Sequence, residues 1–456
     1  MYILSGKSQG VICCLTGQLV RGKNYGNVRG KEAQRIRIEH GVNIRSGETG
    51  NRNESKSKGN GIALMDSIVE SGKERLRGIA FWRDNLNHAN KTKDNHFRFL
   101  GKYFDFTLVV ASGADIGKHV TDSGTKLVRI PCPEGPAGKV IFYLGAFRYF
   151  FREHARRPFK FFLATISEEP IGMVAKAVAF PRIKVVYDLF DIPGTSVKDD
   201  NFLTKVARLF YRLVLSLGLR RGDITVAGVI PEGLAPWRIP PERIIESENA
   251  VDAGLFDPEQ VRPLPEYWKG EGKKLLYVGY VHKERGAADI LQAVAKVNGA
   301  GIPVSLLIVG PAGSQNPSDL CEIAESLGIA ERVSIHSHVD SRIIPGIVNA
   351  SDICLCPLRD IRQFRWSYPV KVYEFLAMGK PVVATGLPGI ARVVKHGENG
   401  LLFKPGDLEG FSECIVRLAT DDDLYRRVCA GARDSVLGKT WENNVAIISR
   451  LVAERL

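Results

Sequence analysis

In the stretch Ser367-Tyr-Pro-Val-Lys371-Val-Tyr-Glu374-Phe-Leu-Ala-Met-Gly379, a basic and an acidic residue stand three apart in an otherwise largely apolar run. Pro369 suits the first turn of a helix and Gly379 its C-terminal stop, with Pro381 opening the strand beyond. Val370, Tyr373, Leu376 and Ala377 make a core face that Val372 and Phe375 widen. Lys371 and Glu374 are left on one polar stripe near the helix start. A helix N-terminus facing a cleft attracts anions, because its free N–H groups and dipole favour a phosphate. Lys371 would add charge there, and Glu374 could accept hydrogen bonds from vicinal sugar hydroxyls. A solvated surface Lys–Glu pair, worth about 0.2–0.5 kcal/mol, fits the residue types equally well. Both readings stay open.

Other reactive side chains point to less. The cysteines stand at 13, 14, 132, 321, 354, 356, 414 and 429, with no Cys-x-x-Cys pair and no zinc-type spacing. His336-x-His338 is the nearest approach to a ligand pair and lacks a third ligand, so no metal site is expected. Cys354 and Cys356 fall on one side of an apolar strand and are expected to pack there. Thiols used this way fit a reducing, cytoplasmic setting. In Lys139–Arg157 aromatics and arginines interleave on one helix, as in helices that lie in a membrane interface. Lys205–Arg221 is similarly basic and apolar. A core helix with solvated basic residues is the alternative for both.

The chain that must position these groups has 456 residues, 44% hydrophobic and 25% charged. That length provides for several domains with real cores and excludes a wholly disordered chain. No apolar run reaches the ~18–20 residues of a spanning helix, and the N-terminus does not read as a secretory signal. Residues 1–60 hold 11 Lys and Arg against 4 Glu, so they carry +7 of the net +13. Such a charge can serve nucleic acid or an anionic surface. A solvated basic tail on a nearly balanced enzyme, with no nucleic-acid partner, is the reading adopted. Residues 1–75 are expected to be a poorly ordered extension, because 20–62 is rich in Gly, Asn, Ser and charge without an apolar period. Met65 is a candidate translation start.

From Arg77 onward short apolar strands alternate with helices, which predicts parallel sheets covered on both faces. Strands are expected at 78–82, 106–111, 127–130, 161–165, 185–189 and 224–227, with helices near 139–156, 168–179 and 201–221. The second half repeats the pattern at 275–278, 304–309, 333–336, 353–356, 381–384 and 401–403. This gives two doubly wound domains, 76–247 and 248–436, joined across a proline-punctuated segment. A last helix in 437–456 is expected to cross back to the first domain. Ligands of such a pair bind at the carboxyl ends of strands, in the cleft.

Five stretches of the sequence resemble glycosyltransferase family 4, the retaining enzymes of the GT-B fold. They are Tyr277-Val-Gly-Tyr-Val-His-Lys-Glu-Arg-Gly286, Ala350-Ser-Asp-Ile-Cys-Leu-Cys-Pro357, the Ser367–Thr385 stretch, Leu387-Pro-Gly-Ile390 with Gly397–Phe403, and Glu248–Asp257. The resemblance spans about 76–456. It implies that Glu374 holds the donor ribose, that the Ser367 loop wraps the diphosphate, and that Arg285 and Lys371 neutralise it. It also places Gly279, Tyr280 and Gly389 at the donor, and Asp191 as a catalytic candidate that orients acceptor or sugar. No metal or other cofactor is implied, since basic groups stabilise the departing nucleoside diphosphate.

The implied activity is transfer of a sugar from a nucleotide diphosphate sugar to a hydroxyl of a saccharide or lipid-linked saccharide. The setting would be bacterial exopolysaccharide or surface-glycan synthesis in the cytoplasm or at the inner face of the membrane, with possible contact to anionic lipid. Several positions depart from the family pattern. Trp366 stands where a first glutamate is usual, as in members with a Ser-x-Pro-x-Lys loop. Tyr280 replaces a basic residue, Arg392 an acidic one and Phe190 a histidine. The glycine-rich loop after the first strand is missing. A degenerate nucleotide-sugar binder and a GT-B nucleotide-sugar epimerase are therefore the alternatives.

Overall fold

The structure, a computed structural model, describes residues 75–83, 91–165, 171–175, 183–192, 202–313, 315–337 and 339–456. The expected N-terminal extension before residue 75, His338 and most of the loop after the first strand lie outside the described residues.

Two all-parallel sheets carry the chain. The first holds β1 (Arg77–Trp82), β2 (Asp105–Ala111), β3 (Lys126–Ile130), β4 (Phe161–Thr165), β5 (Lys184–Leu189), β6 (Ile224–Ala227) and β7 (Ile244–Glu246) in the order β3-β2-β1-β4-β5-β6-β7. The second holds β8 (Lys273–Val278), β9 (Val304–Val309), β10 (Val333–His336), β11 (Ile353–Cys356), β12 (Val382–Thr385) and β13 (Gly400–Phe403) in the order β10-β9-β8-β11-β12-β13. The central strands are buried along nearly their whole length, as apolar runs covered by helices on both faces must be. Strand order reverses beside β1 and beside β8. Those are the switch points at which doubly wound folds open a crevice.

Right-handed crossovers sort the helices of the first domain into two layers. Moving from β1 to β3 puts Lys91–Tyr103 on one face, and moving from β3 to β6 puts Gly135–Arg156, the helical turn at 171–175 and Phe202–Arg221 on the other. Side-chain alternation along β4 agrees with this. Phe162 stacks edge-on with Phe150, and Ala164 lies under Gly172, while Phe161 and Leu163 line a small cavity with His96, Val445 and Ile448. The chain's last helix, Trp441–Arg455, thus lies with the first domain, packing Trp441, Val445, Ile448 and Val452 into its core. In the second domain one core cluster holds Cys354 and Cys356, and another lies on the opposite face of the sheet.

The departures from expectation are local. β7 was not anticipated, because its three residues follow a proline pair and show no apolar run. The helix expected from 139 begins at Gly135, where Pro136 supplies a preset φ for the first turn. Pro369 is not within the first turn of its helix. With ψ of 117° it is the N-cap of Val370–Ala377.

Candidate active site

The site forms where β8, β9 and β11 end and the helix Val370–Ala377 begins. Two glycines bare the strand ends. Gly279 follows β8 with φ of +141° and Gly310 follows β9 with φ of +153°, backbone conformations that side chains rarely adopt. A Cβ on Gly310 would lie 1.9 Å from the Gly279 carbonyl oxygen, so these two turns can approach only as glycines.

Lys371 projects from the helix start over this bare backbone. Its Nζ lies 4.2 Å from the centre of the Tyr277 ring, is shielded from solvent and has no hydrogen-bond partner. Burial holds the ammonium below the usual lysine range, and the nearby Arg285 charge lowers it further. Arg285 comes from the turn Lys283–Arg285 beyond β8, with its guanidinium 5.1 Å from the Phe364 ring. Glu374, one turn along the helix, is only 7% exposed. A solvated Lys–Glu pair is therefore not what the structure holds. A buried, unpartnered ammonium beside a second cation is costly, and an anion would relieve that cost. The same burial pushes the Cys354 thiol up to about 12 and raises Cys356, so both stay protonated packing groups.

The loop before the helix is fastened to the first domain. Val229 and Ser367 form an antiparallel bridge, and the Ile230 N–H donates to the Trp366 carbonyl at 3.0 Å. Ser367 Oγ donates to the Gln363 carbonyl at 2.6 Å, while Gly389 leaves room for the Ser367 carbonyl, which a Cβ would meet at 2.3 Å. Trp366 does not stand in for the glutamate whose position it takes. It packs against Gly233 and belongs to the margins of both domains' cores. Tyr280 is 55% exposed, and its carbonyl accepts from Tyr277 Oη at 2.8 Å. Asp191 is exposed, two residues past the end of β5 on the other domain.

Several polar groups here escaped sequence reading. Tyr368 Oη donates to Glu246, Tyr373 Oη donates to Glu248 Oε2 at 3.3 Å, Lys439 donates to Glu248, and Asn249 donates to the Tyr368 carbonyl. The bonds of Tyr368 and Tyr373 tie the helix Val370–Ala377 and the loop before it to residues 246–249. Their signal was hidden because the partners lie more than 100 residues apart. In the first domain His96 Nδ1 lies 3.0 Å from Asp188 Oδ2, both buried, under Phe190 and Trp441. Among the described residues no group of His, Cys, Asp or Glu is placed to hold a metal ion.

Residues 272–421 match the family described as "Glycosyl transferases group 1". N-acetyl-alpha-D-glucosaminyl L-malate synthase of Bacillus anthracis is 25% identical over 269 residues, 58% of this chain and 65% of that protein. A D-inositol 3-phosphate glycosyltransferase of Corynebacterium urealyticum is 30% identical over 176 residues, 38% of this chain and 40% of its own length. The matches to these two relatives thus span less than two thirds of their length. Among solved structures, Anabaena HepE in complex with UDP and glucose is similar with a TM-score of 0.63 at 17% identity, covering 83% of this chain and all of that one. A glycosyltransferase of Rickettsia africae gives a TM-score of 0.64 at 17% identity, covering 84% of this chain and 98% of that one. Residues 272–421 of the chain therefore match a glycosyl transferases group 1 domain, and the two parallel-sheet domains share the GT-B fold of these solved structures.

Proposed function

We propose that the chain is a retaining, metal-independent glycosyltransferase that moves a sugar from a nucleoside diphosphate sugar to a hydroxyl of a saccharide or lipid-linked saccharide. The setting that goes with this reading is bacterial exopolysaccharide or surface-glycan synthesis. The observation that carries the proposal is Lys371, a buried ammonium with no hydrogen-bond partner. It is held at a helix start over glycine-lined strand ends and within the electrostatic reach of Arg285.

A diphosphate in that position would receive Lys371, Arg285 and the free N–H groups of the helix. These groups stabilise the charge that grows on the nucleoside diphosphate as the glycosidic bond breaks. One well-placed group of this kind lowers the barrier by about 3–4 kcal/mol. Glu374 would accept from the ribose hydroxyls, and Gly279 would let the donor lie against the backbone. Asp191, on the facing domain, would orient the acceptor. The HepE complexes hold UDP, so UDP is the first nucleotide to try.

The test is thermal unfolding of the full chain with UDP, GDP and ADP and their sugar conjugates, wild type beside Glu374→Ala. A ligand at 100 times its Kd adds about 2.7 kcal/mol, visible as a shift of a few degrees. One nucleotide stabilising the wild type and not the variant supports the donor site. No shift with any nucleotide in a folded sample refutes it. Donor turnover that requires an acceptor then separates transfer from epimerisation and from binding alone.

A further inference from the structure

On the donor-site reading of Lys371, we propose that Glu246 and Glu248 are positioning residues. Acting through the hydroxyls of Tyr368 and Tyr373, they set where the helix Val370–Ala377 presents the Lys371 ammonium. Donor affinity is then governed from the segment that joins the two domains. Tyr368 Oη donates to Glu246, and Tyr373 Oη donates to Glu248 Oε2 at 3.3 Å. The next linker residue, Asn249, donates to the Tyr368 carbonyl. These anchors bracket Lys371 on both sides in the sequence.

The helix start has need of an outside anchor. Its N-cap is Pro369, which gives no side-chain cap to the first turn. At about 100° per residue, Lys371 and Tyr373 stand on opposite sides of the helix. The linker therefore grips one side, while from the other the ammonium leans over the Tyr277 ring, 4.2 Å from its centre. Any shift of the gripped side is passed on to the charge. Tyr368 and Tyr373 are both buried. Burial and the facing carboxylates push both phenols well above their ordinary range, so they remain protonated donors. Hydrogen bonds of this kind, to an ionised acceptor, are roughly twice as strong as neutral ones.

The grip is itself fixed to the first domain. Between the two glutamates, the Ser247 N–H donates to the Ala227 carbonyl at the end of β6, at 2.8 Å. Asn444, in the last helix, donates to the Glu248 carbonyl at 2.6 Å, and Lys439 holds the Glu248 carboxylate. The returning chain runs beside the linker. The Val251 N–H donates to the Lys439 carbonyl at 3.0 Å, and the Trp441 N–H donates to the Val251 carbonyl at 3.2 Å. Both passages of the chain between the domains are thus bonded to each other, and the two carboxylates sit on that frame. The helix that carries Lys371 takes its position from the frame as well as from the second sheet.

The experiment, on the full chain, reads two quantities. One is the Kd of whichever of UDP, GDP and ADP the wild type binds, by calorimetry. The other is amide hydrogen exchange of residues 370–377, by mass spectrometry. The variants are Tyr368→Phe, Tyr373→Phe, Glu248→Leu and Glu248→Gln. Tyr425→Phe is the control, because Tyr425 Oη donates to the Asp352 carbonyl within the second domain, at 3.2 Å. Tyr368→Phe, Tyr373→Phe and Glu248→Leu should each weaken nucleotide binding about tenfold, the worth of one hydrogen bond to a charged group, and should speed exchange of 370–377. Glu248→Gln keeps an acceptor for Tyr373 and should stay within about threefold of wild type. Tyr425→Phe should lower the melting temperature and leave the Kd unchanged. The proposal is overturned if the two tyrosine variants and Glu248→Leu also lower only the melting temperature, or if Glu248→Gln binds as poorly as Glu248→Leu. A wild type that binds no nucleotide defeats the donor-site reading instead. Exchange of 370–377 then decides alone: faster exchange in Tyr373→Phe keeps the linker's hold on the helix, and unchanged exchange removes it.

Discussion

The two sheets share one winding rule, yet their strand ends hold buried charge in opposite ways. In the second domain, glycine turns leave the ends of β8 and β9 bare, and Lys371 reaches over them with no partner. In the first domain, Asp188 Oδ2 near the end of β5 is bonded to His96, whose ring lies under Phe190 and Trp441, while Asp188 Oδ1 is buried with no hydrogen-bond partner. A partnered buried charge has its compensation inside the protein. An unpartnered one must find it elsewhere, and the reading proposed above supplies it as an anion beside the open backbone at Lys371. On that reading the first arrangement is structural and the second is a binding device, so perturbing each should move different observables.

The largest effect is expected from Lys371→Met. Losing the buried ammonium should lower kcat/KM about 100- to 1000-fold, the cost typical of removing one preorganised electrostatic group. It should abolish the nucleotide-induced thermal shift as well. The same substitution removes a desolvated charge from an apolar pocket, so the unliganded protein should unfold at a higher temperature than wild type. Lost binding together with gained stability is the signature of a functional charge. If Lys371→Met both unfolds earlier and keeps its nucleotide shift, the contrast between the two domains fails.

Asp188→Ala should do the reverse. It leaves His96 without its bond in a buried setting, at a cost of about 1–3 kcal/mol. The nucleotide-induced shift should stay as in wild type, because the pair sits in the other domain. Differential scanning calorimetry with and without nucleotide reads both quantities at once. A lost nucleotide shift would show that the pair takes part in donor binding.

Gly279→Ala tests whether the bare strand end is needed. Alanine at φ of +141° carries backbone strain of about 1–3 kcal/mol. The new Cβ would stand 3.6 Å from Tyr277 Oη and 3.9 Å from Lys371 Nζ, ordinary contact distances. The structure tolerates the atom sterically, so the loss should appear as a weaker nucleotide-induced shift with only a modest drop in the unliganded melting temperature. Equal losses in both would make Gly279 a folding residue alone.

How much of this could be read beforehand follows from the range of the interactions. Continuous apolar runs such as Val304–Val309 mark buried parallel strands because both of their faces are covered. Helix stops such as Gly379, with φ of +67°, are local events too. The candidate cluster was legible for the same reason, since Lys371 and Glu374 lie within one helical turn. What could not be read was how deeply they are buried, because Tyr277 and Arg285 approach Lys371 from distant parts of the chain. The resemblance drew attention to Asp191, and the sequence assigned Asp188 no role. Its partner His96 lies 92 residues away, and a lone buried histidine carries no sequence signal. Trp366 looked like a vacancy in a catalytic pattern and proved to be a packing residue between two cores.

The smallest effect, and the sharpest on the cause of the lowered Lys371 basicity, is the pH dependence of the stability gap between wild type and Lys371→Met. Burial holds the folded Lys371 below the 10.5 of an ordinary lysine, which the unfolded chain recovers. Between those two values the unfolded chain binds a proton that the folded chain does not. The wild type is therefore penalised most at low pH, where the buried ammonium must stay charged, and the penalty fades as pH rises toward 10.5. Lys371→Met has no such group, so its lead in melting temperature should shrink steadily across the alkaline range. A saturating nucleoside diphosphate would supply the missing counter-charge and raise the folded pKa again. The wild type should then show proton uptake on binding at alkaline pH, measurable as a buffer-dependent heat in calorimetry. A gap that stays constant from neutral to alkaline pH would mean that Lys371 keeps an ordinary pKa, and that its burial is compensated within the protein.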